Sequence, residues 1–248
     1  NFNSVIASAA FPGAAALAFT GTAADEGYTL QAAADSVDMG AGTDNINVPA
    51  AIAPTGTLNG GAGTDTLNVA AGANISGATL QNIETLTLNG AATMTSAQYN
   101  GFATINGAGI ADNVVLTDAG TITANGVVET YTLSAAGNTV LNKTSAAQTI
   151  NGTAAGADTV TTTFANLGVG VINLNNQAGV IDTLTVTTAV TGAPVGGFGT
   201  VAQGAEVVNL QGGIASAIIV AVNAGAGTVV NLTGAAGQAA GVVNLGTG

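Results

Sequence analysis

The chain has 248 residues, 47% of them hydrophobic and 6% charged, and its thirteen Asp and Glu face one cation, Lys143, for a net charge of −12. That balance excludes nucleic-acid binding, which needs clustered Lys and Arg, and docking on anionic lipid. With no Cys and no His, thiol and imidazole chemistry, disulfides and the usual zinc centres are excluded too.

Residues 1–34 precede the repeats and read as an N-terminal arm or cap, Ala-rich enough to host a short helix. The apolar run "VIASAAFPGAAALAF" (5–19) is broken by Pro12 and Gly13 and falls short of the roughly 20 residues a membrane-spanning helix needs. It holds Phe11 and Phe19, which with Phe2 make half of the six Phe in the chain. Two roles stay open: a strand exchanged into the open sheet of a neighbouring copy, or a cap over the first coil of a repeat.

From residue 35 to 248 one unit keeps returning, an acid followed by alternating β-prone residues. It appears as "DNINV" (44–48), "DTLNV" (65–69), "ETLTL" (84–88), "DNVVL" (112–116) and "ETYTL" (129–133). "DTVTT" (158–162), "DTLTV" (182–186) and "EVVNL" (206–210) follow, and "VVNL" recurs at 229–232 and 242–245. Branched side chains alternating with Asn or Thr fit a pleated surface, and the Asn-Gly and Gly-Ala pairs between them make turns. The acids are spaced by 21, 19, 28, 17, 29, 24 and 24 residues. Such steps predict an all-β fold, a parallel β-solenoid or β-roll-like repeat with Gly-rich turns and about 20 residues per coil. The alternative is a β-sandwich subunit with an N-terminal donor strand, although sandwich strands are spaced by about 8–12 residues. The steps of 28 and 29 residues fit a regular coil least well.

Within this repeat, "GGAGTDTLN" (60–68) fits the nonapeptide G-G-x-G-x-D-x-U-x at every specified position, and "NIETLTL" (82–88) follows it. Here the chain resembles the RTX family of secreted calcium-binding proteins, and in particular bacterial surface-layer (S-layer) proteins. The resemblance implies that the glycines allow a tight turn whose carbonyls face calcium, while the Asp adds carboxylate oxygen and the apolar residue plugs the core. Gly60, Gly61, Gly63 and Asp65 match that turn, with Leu67 as the plug. "MGAGTDNIN" (39–47) keeps Gly40, Gly42, Asp44 and Ile46, with Met39 in place of the first glycine. "TAAGADTVT" (153–161) keeps Gly156, Asp158 and Val160, and "AGVIDTLTV" (178–186) keeps Asp182 and Leu184. Family turns recur every nine residues, whereas the two best copies here lie 21 apart. A coil of that length would set Asp44 beside Asp65, where two carboxylates repel unless a hard dication with six to eight oxygen ligands lies between them. Asp35 and Asp38 are expected to complete the shell. The expected calcium residues are therefore Asp35, Asp38, Gly40, Gly42, Asp44, Gly61, Gly63, Asp65, Asp158 and Asp182. The plainer alternative is that Gly-x-Asp is ordinary turn chemistry, and Glu84, Glu129 and Glu206 are expected to be solvated turn carboxylates.

Catalysis would fall to a carboxylate pair without Trp to grip a sugar, so the chain is not read as an enzyme. The expectation is an extracellular structural protein of the bacterial cell surface that self-assembles, calcium-dependently, into a surface layer or filament. Its partners would be copies of itself, with no nucleic acid and no membrane insertion. The alternative is a calcium-stabilised adhesin or surface binding module, for which "TGAPVGGFGT" (191–200) is the only candidate segment.

Overall fold

Thr, Val, Ile and Leu alternate with Asn and Thr in short runs, each stopped by glycine or an acid, and these runs are the strands. A computed structural model describes residues 16–109, 112–135, 137–143, 148–152, 156–163, 172–174 and 181–187. Beyond these it describes strand residues 202–203, 207–211, 220–222, 229–233 and 243–245. The insertion at 191–200 and the acid Glu206 lie outside the described residues, as does the side chain of Lys143. The chain divides into two units, Asn1–Thr117 and Asp118–Gly248.

The first unit is wound in coils. Its first coil holds β1 (Ala18–Thr20) and β2 (Gly27–Thr29), and its second β3 (Ser36–Asp38), β4 (Ala41–Gly42) and β5 (Asn45–Val48). The third holds β6 (Thr57–Asn59), β7 (Ala62–Gly63), β8 (Thr66–Ala70) and β9 (Ala73–Asn74). Next come β10 (Thr79–Gln81), β11 (Thr85–Asn89) and β12 (Ala92–Met94), then helix α1 (Ser96–Gly101), β13 (Thr104–Asn106) and β14 (Asn113–Leu116). One sheet stacks β1, β3, β6 and β10; a second stacks β2, β5, β8, β11 and β13; β9, β12 and β14 share a third.

In the second unit the described strands begin with β15 (Thr121–Thr123) and β16 (Thr130–Leu133), then β17 (Thr139–Lys143) and β18 (Thr149–Asn151). The chain continues through β19 (Thr159–Thr163), β20 (Ile172–Asn173), β21 (Thr183–Thr187) and β22 (Ala202–Gln203). It ends with β23 (Val207–Gln211), β24 (Val220–Val222), β25 (Val229–Thr233) and β26 (Val243–Leu245). The odd-numbered strands β15 to β25 form one sheet, the even-numbered strands β16 to β22 belong to another, and β24 pairs with β26.

Every described pairing is parallel, for example Asn45↔Thr66↔Thr85 and Thr159↔Thr183↔Val207. The fold is a β-solenoid, and the sandwich alternative, which needs antiparallel hairpins, is excluded. Alternate residues point inward and stack in apolar columns one strand spacing apart. Tyr28, Ile46, Leu67 and Leu86 form one such column, and Ile122, Val140, Val160 and Leu184 another, each residue almost wholly buried.

The awkward steps in the sequence have a topological cause. Glu84 heads β11, whereas Asp112 heads β14 in a different sheet, so the 28-residue step moves to another face of the coil. The 29-residue step from Glu129 (before β16) to Asp158 (before β19) does the same. At the other end, β1 and β2 lie inside 1–34 and pair in register with β3 and β5. Regular coils thus begin within the segment expected as arm or cap, and residues 1–15 lie outside the described ones. Helix α1 was not expected. Among the described residues no helix is long and apolar enough to cross a membrane.

Candidate metal centre

At the corners before β2, β5 and β8 the residue preceding the strand has a backbone N–H that needs an acceptor, and an unpaired buried N–H is costly. The acid one coil on supplies the acceptor. Asp44 Oδ1 accepts the Glu26 N–H at 2.7 Å, Asp65 Oδ1 accepts the Asp44 N–H at 2.8 Å, and Glu84 Oε2 accepts the Asp65 N–H at 2.9 Å. The partners are 18, 21 and 19 residues apart, one coil in each case. The same corner residue then accepts through its carbonyl: Asn45 donates to Glu26 O, Thr66 to Asp44 O and Thr85 to Asp65 O. Each acid and the residue after it therefore clamp the corner below with two hydrogen bonds.

Glycine makes the space for this clamp. A Cβ on Gly60 would lie 2.6 Å from Asp65 Oδ2, inside contact distance. The repeated "GAGTD" of 40–44 and 61–65 is stacked turn on turn, with β4 paired to β7 and the Ala62 N–H donating to Gly40 O at 2.8 Å. Gly61 has φ +97°, and a Cβ there would run into the Gly40 carbonyl. Only glycine meets both demands.

Asp44 and Asp65 are 0% and 1% exposed, and in each Oδ2 has no hydrogen-bond partner. Burial pushes both carboxyls above their ordinary value. The clamping N–H from the corner below opposes it, and nearby charge reinforces it: Asp65, Glu26 and Asp25 around Asp44, and Glu84 beside Asp65. Two buried carboxylates with one orphaned oxygen each, joined corner to corner by a hydrogen bond, offer the donors a hard oxygen-seeking ion takes.

Asp35 shows the contrast. It makes the same clamp at the corner before β3, accepting the Leu17 N–H at 3.0 Å while the Ser36 N–H donates to Leu17 O. Its Oδ2, however, accepts from Gln31 N–H, Ala32 N–H and the Tyr28 hydroxyl at 2.8, 3.0 and 3.3 Å. Burial pushes the Asp35 carboxyl up, but these donors outweigh it and hold the group below its ordinary value. Tyr28 is pushed up to about 12, by burial first and then by the charge and hydrogen bond of Asp35. Asp38 is exposed and accepts from Gly40 N–H and Asn59 Nδ2. The structure thus joins Asp44 to Asp65, while the hydrogen bonds described for Asp35 and Asp38 go to other groups. Among the described residues no three His, Cys, Asp or Glu come together to hold an ion.

A second column runs through the other unit. Asp158 Oδ1 accepts the Asn138 N–H at 2.9 Å and Asp182 Oδ1 accepts the Asp158 N–H at 2.7 Å, with Thr159 and Thr183 closing the carbonyl half of each clamp. Asp158 and Asp182 are buried, and Gly152 faces Asp158 Oδ2 as Gly60 faces Asp65. Residue by residue, sequence reasoning missed Glu26, Asn138 and the bonding role of Glu84, which is half-buried and part of the column. The findable signal was position: each directly precedes a strand, one coil from a recognised acid.

No family model, curated protein or solved structure matches the chain. The likeness to RTX turns therefore rests on sequence motifs, most fully on residues 60–68.

Proposed function

We propose that this chain is an extracellular, non-enzymatic structural protein of the bacterial cell surface whose copies self-assemble, calcium-dependently, into a layer or filament. The observation that carries the reading is the buried Asp44–Asp65 pair with its two orphaned oxygens. In this reading Asp44 and Asp65 hold a calcium ion, which would neutralise them and lock successive coils, the rest of its six to eight ligands being carbonyls and water. Asp158 and Asp182, buried and clamped corner to corner in the same way, are a second candidate pair. A net charge of −12 with one cation supports the same view, because copies repel one another until divalent ions offset their acids. The test is sedimentation and circular dichroism of the chain with calcium, after chelation, and after calcium is returned. Particles that dissolve on chelation and re-form with calcium, but not with sodium at equal ionic strength, support the proposal. A monodisperse monomer indifferent to chelation ends it in favour of a binding module.

A further inference from the structure

We propose that the groove beside β10 receives an extended segment of a second copy of this chain, drawn from residues 1–15, as an added strand. The inference rests on the self-assembly reading and names where one copy grips the next. The sheet of β1, β3, β6 and β10 ends at β10. In the coil after β10 the chain enters α1 instead of a further strand of that sheet. Gln98 of α1 donates to Ile75 O and Ala78 O at 2.7 and 2.8 Å, which ties the helix to the turn before β10. β10 keeps one edge without a strand, and such an edge is a template for pairing.

The side chains agree with the backbone. Val37 and Leu58 in this sheet are 2% and 0% exposed, whereas Leu80, their register partner on β10, is only half-buried. Between β10 and α1 runs a groove of about 330 Å³ whose walls include Leu80, Ile83, Ala97, Phe102 and Ala103. Its one charged lining residue is Glu84, whose Oε2 accepts the Asp65 N–H. Asn82, with φ +48°, turns the chain out of β10 along the same wall.

An occupant must be apolar, extended and free of acids, since Glu84 and the column behind it would repel a carboxylate. Residues 1–15, "NFNSVIASAAFPGAA", carry no charge, and a strand over 5–11 would place Val5, Ala7, Ala9 and Phe11 on one face. Pro12 would end it. In its own copy this segment leads into β1, at the opposite edge of the same sheet, and would have to double back across β3 and β6 to reach the groove. A neighbour's segment has no such constraint.

The absence of cysteine supplies the test. A Val5→Cys preparation is mixed with an Ala97→Cys preparation in a thiol–disulfide buffer containing chelator, Ala97 being exposed on the groove wall. Ala7→Cys and Ala9→Cys cover neighbouring registers, and Ala50→Cys, an exposed turn position of an earlier coil, replaces Ala97→Cys as the control. The mixed disulfide is expected in at least about ten-fold excess over the control pair, and Ala103→Trp, added on the groove partner, should suppress it while leaving the circular dichroism unchanged. Equal yields for groove and control overturn the proposal. So does a disulfide that forms only within a single chain carrying both Val5→Cys and Ala97→Cys, which would mean the segment serves its own copy. Cross-linking in chelator without calcium-driven particles would keep this contact and remove the calcium reading; particles without cross-linking would do the reverse.

Discussion

Asp65 differs from an ordinary turn aspartate in what its two oxygens face: one accepts a backbone N–H and the other, equally buried, accepts nothing. Replacing it separates the two roles. Asp65→Ala strands the Asp44 N–H and should cost about 1–3 kcal/mol in urea denaturation with or without calcium. Asp65→Asn keeps an acceptor and removes a buried charge. In chelator it should match or exceed the parent, and with calcium it should fail to gain the stability the parent gains; an equal gain by both would remove Asp65 from any ion site. Asp35 predicts a pH dependence of known sign. Its carboxyl is held below the unfolded value of about 3.9, so its stabilisation is complete above that value and is lost as pH falls through the folded one. Asp44 and Asp65, shifted up, act oppositely: their charge weakens the fold, and acid relieves that cost as pH drops below their raised values. Asp35→Asn should therefore be less stable than the parent at pH 7, with the gap closing below about pH 4 in urea titrations. The adjacency of Asp44 and Asp65 was legible because 21 residues is one coil. The separate fate of Asp35 was not, because which sheet an acid heads is decided by coil topology and leaves no mark in its own neighbours.

Two glutamines do for the turns what the acids do for the corners. Gln98 donates to Ile75 O and Ala78 O, and Gln148 donates to Asn125 O and Val128 O, over the same separations of 23 and 20 residues. Both turns are closed in the same way, by Ala78 N–H to Ile75 O and by Val128 N–H to Asn125 O. Gln98 has a further duty in α1, where it completes a capping box with Thr95. A six-residue helix is far below the length that is stable alone, so it persists only through such anchors. Gln98→Ala should cost about 1–3 kcal/mol for the two stranded carbonyls and should also free the amides of Ser96–Gly101 to exchange. Gln148→Ala should show a similar loss for its own two stranded carbonyls, and protection of 96–101 in Gln98→Ala would show that packing alone holds α1. "TSAQ" (95–98) carries the capping signature openly, but one turn and a half of helix is too short for an apolar period to register. The eight acid-headed segments were legible as strands because four or five alternating residues suffice. Strands such as β3, β6 and β10, three residues each, show no alternation to read and take their conformation from the coils they stack on.

A solenoid is held by contacts between neighbouring coils, so its stability is close to a sum of coil terms and interfaces. The columns add a condition: each coil must present its acid, its glycines and its apolar residues at the same angular position as the one before. Deleting residues 45–65 removes one coil of 21 residues and joins Asp44 to Thr66. Thr66 then follows an aspartate as it did before, and Glu84 Oε2, which clamped the Asp65 N–H, meets that of Asp44. Tyr28 comes opposite Leu67 in place of Ile46, and Val37 opposite Leu80 in place of Leu58, apolar against apolar in each case. Removing only 45–54 leaves the chain short of a whole coil, rotates every later residue off its column, and points acids at apolar positions. The whole-coil deletion should melt cooperatively with a lower midpoint, because one interface is lost, while the partial deletion should lose its cooperative transition and its β signal. If both melt alike, the clamps and columns do not set the register, and the fold would have to rest on side-chain packing that tolerates rotation of the coil.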